Sequence, residues 1–202
     1  KFLSKTKILK FINMNKQKYL KDYFSNLREI INFDDDKIQN LIKVSEILIN
    51  ADKNGNKTLI FGNGGSAAIA SHFSVDLTKN ARVRCVNYNE SDLLTCFSND
   101  FGYEKWVEKC IEYYGDKKDV AIFISSGGNS KNMLNGAKKA KEMNFDKIIT
   151  LTGNDKGNEL NKLGDINFWI NSKAYNLIEN AHQALLLSLV DLIIGKSEYP
   201  PN

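Results

Sequence analysis

Apolar positions along the chain recur first at helical spacing and then, after residue 57, in short dense runs. Leu20, Phe24, Leu27 and Ile31 fall on one helical face. The acidic run Asp34–Asp36 supplies caps for a second helix whose apolar side is Ile38, Leu41, Ile42 and Leu48, and Gly55 ends it. From there, runs of apolar, β-branched or aromatic residues at 58–61, 84–87, 120–124, 147–151 and 166–170 predict five strands, each followed by a helix, the one after 147–151 short. Strands of this kind, alternating with helices, indicate a parallel sheet covered on both faces: a three-layer α/β fold with a helical N-terminal extension. The last helix, 175–194, is apolar nearly all round, which predicts burial on several sides and cover from other subunits. Pro200 and Pro201 are the only prolines, so no element before the tail is broken by one.

The 202 residues suit one α/β domain, and 42% hydrophobic with 26% charged residues is ordinary globular composition. Asp191 interrupts the best candidate for a membrane span, and lysines break up the apolar residues of the first twelve positions, so neither a membrane span nor a signal-peptide core is expected. Cys85, Cys96 and Cys110 form neither an even set nor a close pair, which reads as reduced thiols and a cytoplasmic location. The net charge of +4 is concentrated at the start: 7 of the 28 basic residues are lysines before residue 22, where no acid occurs, so the remainder is acidic by three. Residues 1–21 are therefore expected to be an unstructured basic leader, partly upstream of a natural start at Met14, with one domain over 22–197 and a tail over 198–202. Arg28, Arg82 and Arg84 are the only arginines, too few for bidentate recognition of a nucleic acid.

Two glycine–serine loops carry the chemistry. In LIFGNGGSAAIASHF a strand runs into Gly62-Asn63-Gly64-Gly65, and Ser66 opens an alanine-rich helix. Glycines there let backbone N–H groups converge, and the helix start adds partial positive charge, a combination that binds phosphate without a basic side chain. The loop has neither the GK[ST] ending of a P-loop nor the spaced glycines of a dinucleotide fingerprint. In VAIFISSGGNSKNML a second strand leads through Ser125-Ser126-Gly127-Gly128-Asn129-Ser130 into another helix. Three hydroxyls beside free amides suit a phosphate monoester, and in a parallel sheet both loops lie at strand carboxyl ends, where ligands bind.

GNGGSA, the SND of Ser98–Asp100 followed by FGYE, ISSGGNSKN and the ITLTG of 149–153 together resemble the sugar isomerase (SIS) domain, and within it the phosphoheptose isomerases, over about 22–195. That resemblance implies a flavodoxin-like five-stranded parallel sheet and a homotetramer with sites between subunits. It also implies conversion of sedoheptulose 7-phosphate to a heptose 7-phosphate by proton transfer through an enediol. The positions matching the family's phosphate and sugar contacts are Asn63, Gly64, Ser66, Asp100, Ser125, Ser126 and Ser130. His72 matches the family's metal-ligand histidine, and zinc on His72, Asp76 and Glu179 is the implied metal set, with Asp76 or Glu179 as the base. His182 matches a family position without an assigned role.

Three departures bear on activity. The family's HFxxE is here His72-Phe73-Ser74-Val75-Asp76, one methylene shorter. Its QExHxxxxH is here Glu179-Asn180-Ala181-His182 with Leu187 at the second histidine, and Gly127 replaces a serine of the second loop. Leucine transfers no proton. Three readings follow: a phosphorylated-sugar isomerase of the heptose type, an isomerase or sensor for another sugar phosphate, and a protein adaptor resembling the DnaA-initiator-associating proteins, which are SIS tetramers that bind a protein partner.

Overall fold

The computed structural model describes residues 11–200, and helices over Lys16–Ile30 and Asp35–Lys53 lead into the sheet. The Asn15 side chain accepts a hydrogen bond from the Lys18 backbone N–H at 2.9 Å and starts α1 (Lys16–Ile30). The expected leader is thus corrected over 16–21. The Asn15 cap satisfies an otherwise free N–H, and Lys18 pairs with Asp22 one turn on at 3.0 Å, so these residues are helical. Positions 1–10 of that leader and 201–202 of the tail lie outside the described residues. Asp34 caps α2 (Asp35–Lys53) in the same way, through the Lys37 N–H at 2.9 Å.

Five strands follow: β1 (Thr58–Gly62), β2 (Cys85–Val86), β3 (Val120–Ser125), β4 (Lys147–Thr152) and β5 (Ile166–Trp169). They pair in parallel in the order β2-β1-β3-β4-β5, the flavodoxin-like arrangement. The crossovers contain α3 (Gly65–Lys79), α4 (Ser91–Phe101), a 3₁₀ turn (Tyr103–Lys105), α5 (Trp106–Tyr114) and α6 (Lys131–Glu142), and α7 (Tyr175–Ile194) closes the fold. Alternate strand residues feed two cores. Ile60, Ile122, Ile124, Ile149 and Leu151 pack with α2, α3 and α7, whereas Leu59, Phe61, Ala121, Phe123 and Ile148 pack with α5 and α6. Burial on both faces is why the strands read as continuous apolar runs rather than alternating ones.

The short helix expected between β4 and β5 is absent; turns occupy that stretch. Asp155 Oδ1 accepts from the Gly157 N–H at 3.0 Å and Asn158 Oδ1 from the Asn161 N–H at 2.9 Å, local bonds that compete with a helical ladder. The expectation for α7 also changes. By length and composition it does satisfy a membrane-span criterion despite Asp191, with a mean hydropathy of 1.4. Its Leu177, Ile178, Ala181, Leu185, Leu186, Leu189 and Val190 are nevertheless all committed to the core beside the sheet, so its apolar character serves packing.

Candidate active site

β1 and β3 are neighbours from which the sheet order runs in opposite directions, and Gly62 pairs with Ile124 at their carboxyl ends. Both glycine–serine loops leave from this switch point, where ligands of open α/β sheets bind. Between them lies a cleft of about 540 Å³ lined by Asn63, Ser66, Ser125, Ser126, Ser130 and Glu179, together with Ile124, Gly127, Asn129, Asn154, Asp155 and Tyr175. No lysine or arginine lines it among the described residues. Neither α3 nor α6 has a side-chain cap at its first turn. At the α3 start the Ser66 and Ala67 N–H groups donate to the Asn63 and Gly64 carbonyls, both at 3.0 Å, which leaves the Gly65 N–H and the first turn of α6 to face a ligand.

The second loop is braced from behind. The Gly153 N–H and Asn154 Nδ2 donate to the Ser126 carbonyl at 3.0 and 3.1 Å, and the Leu160 N–H donates to the Gly128 carbonyl at 2.9 Å. Gly128 has φ +66°, and Ser125 Oγ accepts from its N–H at 3.2 Å while lying 3.4 Å from Ser130 Oγ. Ser126 is 6% exposed and its hydroxyl, buried, has no partner among the described residues.

Of the residues singled out in the sequence, Asn63, Ser66, Ser125, Ser126, Ser130 and Glu179 line the cleft, and Gly64, with φ +56°, precedes the α3 start beside it. Asp100 does not. It is exposed near the end of α4, where it takes hydrogen bonds from Asn99 Nδ2 at 2.9 Å and the Cys96 thiol at 3.7 Å.

The expected zinc set does not come together. His72 Nε2 lies 3.1 Å from Asp76 Oδ2, and His72 Nδ1 lies 3.3 Å from Gln183 Nε2, so neighbours occupy both ring nitrogens. The Glu179 carboxylate instead packs over Gly65, where an added Cβ would fall 2.4 Å from Oε2. Gly65 and Asp76 are eleven residues apart on one helix, roughly 16 Å along its axis. Within one copy of the chain, a single ion cannot bind carboxylates at both ends. Among the described residues no group of three or more histidine, cysteine or carboxylate side chains is placed to hold a metal. Within one copy of the chain these donors do not converge on the implied site, and Asp76 lies outside the cleft between the glycine–serine loops.

His182 is fully buried, and its Nε2 lies 3.1 Å from the Thr152 carbonyl. A carbonyl only accepts, so Nε2 carries the proton. Burial pushes the imidazole pKa down to about 4, against the opposing pull of that carbonyl bond, and the ring is neutral near pH 7. Its role is to pin α7, which carries Glu179, to the end of β4. Sequence reasoning did not single out Asn154, Asp155, Tyr175, Asn132 or Tyr103. Of these, Tyr103 and Asn132 stood inside the FGYE and GGNSKN motifs.

The SIS domain family model matches residues 22–153. A phosphoheptose isomerase of Aliarcobacter butzleri is 34% identical over 173 residues, covering 83% of this chain and 90% of that protein. Phosphoheptose isomerase 1 of Campylobacter jejuni is 36% identical over 159 residues, 76% of this chain and 84% of that one. The solved structure of phosphoheptose isomerase GmhA from Neisseria gonorrhoeae superposes with a TM-score of 0.81 at 26% identity, over 89% of this chain and 98% of that one.

Proposed function

The chain belongs to the SIS-domain family, in its phosphoheptose isomerase branch, and on that premise we propose that it isomerises sedoheptulose 7-phosphate to the corresponding aldose 7-phosphate. The observation that carries the reading is the three serines, Ser125, Ser126 and Ser130, lining one cleft between two helix starts without side-chain caps. This is a phosphate cradle. Seated there, the 7-phosphate leaves the sugar chain to extend toward Glu179. The Glu179 carboxylate takes the C1 proton, the electrons of that C–H bond form the C1–C2 double bond of an enediol, and the proton returns at C2 while the O1 hydroxyl becomes the aldehyde. No residue at position 187 supplies acid, since it is leucine, so solvent protonates and deprotonates the enediol oxygens.

Phosphate recognition is tested by heat. Millimolar sedoheptulose 7-phosphate should raise the melting temperature of the wild type through linkage. Ser126→Ala should weaken binding about tenfold, the cost of one hydrogen bond to a charged group. An unshifted melting temperature with both the sugar phosphate and inorganic phosphate would contradict the reading.

Assembly as a homotetramer belongs to the same proposal. α1 buries none of its residues within the chain, and Tyr19, Leu20 and Phe24 are each more than half exposed. A second copy covering that face accounts for them. Asp100, outside its own cleft, then serves the site of a neighbouring subunit. Light scattering at micromolar concentration should give four times the 22.9 kDa chain mass; a monomeric mass would refute the assembly.

A further inference from the structure

We propose that Asn132 and Tyr103 are positioning residues for the phosphate cleft, holding Asn63 and the first loop in register with the helix that carries the second. The inference rests on the phosphate-site reading above. Asn63 is the first residue after β1, and Asn132 is the second residue of α6, 2% exposed. Their amides bond reciprocally: Asn132 Nδ2 donates to Asn63 Oδ1 at 2.8 Å, and Asn63 Nδ2 donates to Asn132 Oδ1 at 3.1 Å. The Tyr103 hydroxyl donates to the same Asn63 Oδ1 at 3.1 Å.

This arrangement settles what Asn63 can offer a ligand. A primary amide has two N–H donors and two lone pairs on its oxygen. Both lone pairs and one donor are taken by Asn132 and Tyr103. One Nδ2–H is left over at the cleft wall. Asn63 therefore meets a ligand only as a donor, which suits a phosphate or carbonyl oxygen and disfavours a group that must itself donate. The pair also joins residues 69 positions apart in sequence, across the two loops. The pair thereby ties the start of α6 to the loop that precedes α3.

The 3₁₀ turn that carries Tyr103 is tied down by the same helix. Lys131 Nζ pairs with Glu104 Oε1 at 2.8 Å, and Asn135 Nδ2 donates to the Glu104 carbonyl at 2.9 Å. Tyr103 is 51% exposed, so its hydroxyl adds little to the core. Its defined contact is with Asn63.

The test is a double-mutant cycle read on inorganic phosphate, so that it stands whichever sugar the protein isomerises. Asn132→Leu removes both amide bonds while keeping the volume, and should raise the phosphate Kd by about tenfold. In an Asn63→Ala background the same substitution should change Kd by less than about twofold, because its effect passes through Asn63. Tyr103→Phe leaves packing intact and should raise Kd by about threefold, which keeps the test decisive if Asn132→Leu does not fold. A lowered melting temperature with unchanged Kd, or full additivity with Asn63→Ala, would overturn the proposal and leave Asn132 a purely structural residue. Phosphate binding that follows the cycle without turnover of sedoheptulose 7-phosphate would contradict the proposed activity and uphold the positioning role.

Discussion

Glu179→Gln is expected to slow isomerisation by about 10²–10⁴-fold, with little change in KM. Glutamine keeps the shape of the side chain and its packing over Gly65 but cannot accept a carbon-bound proton. Two carboxylates line the cleft, and they are not equivalent. Asp155 is exposed and its Oδ1 is held by the Gly157 N–H in a turn. Glu179 is half-buried, and no hydrogen bond engages it among the described residues. Steady-state kinetics at saturating substrate is the check. Asp76→Asn provides the contrast: Asp76 is bonded to His72 and Asn80 outside the cleft, so its loss should cost less than about tenfold. The reverse order of sensitivities would return the base to position 76, where the family pattern has its glutamate.

Gly62→Ala should weaken phosphate binding severely. A Cβ at Gly62 would lie 2.4 Å from the Ser66 carbonyl oxygen and 2.5 Å from its carbonyl carbon. These are backbone atoms of the first turn of α3, so relief requires moving the helix start that faces the ligand. Overpacking of this kind costs about 1–3 kcal/mol, which for a chain of this size lowers the melting temperature by roughly 2–12 °C. The greater effect is on the ligand, with a phosphate Kd expected to rise by at least about 10²-fold, as for an ångström-scale misplacement. Gly127→Ala is the matched control: nothing lies within 4 Å of its added Cβ, and stability should stay within about 0.5 kcal/mol of wild type. Calorimetry with and without phosphate distinguishes the two.

The strands and most helices were legible in the sequence because burial on both sheet faces leaves dense apolar runs, and because Asp34 and the loop glycines punctuate them. The stretch between β4 and β5 was misread. Its helix-like spacing carries no record of the Asp155 and Asn158 side chains bonding their own backbone. That both glycine–serine loops border one cleft was legible too, since consecutive residues build each loop and the sheet topology brings the two together. The zinc set was not. His72, Asp76 and Glu179 lie on two helices, and their meeting depends on how α3 and α7 align along their lengths, which helical spacing within each does not reveal. The reciprocal Asn63–Asn132 amides are likewise a product of tertiary contact, which neither motif shows by itself.

The proposed activity is tested most directly by incubating the wild-type protein with sedoheptulose 7-phosphate in deuterated water and following the C1 protons by NMR. Exchange of one of the two C1 protons with solvent and the appearance of an aldose 7-phosphate are expected, both suppressed by Glu179→Gln. A protein that sedoheptulose 7-phosphate stabilises against heat, yet whose bound sugar keeps its C1 protons and yields no aldose, would contradict it.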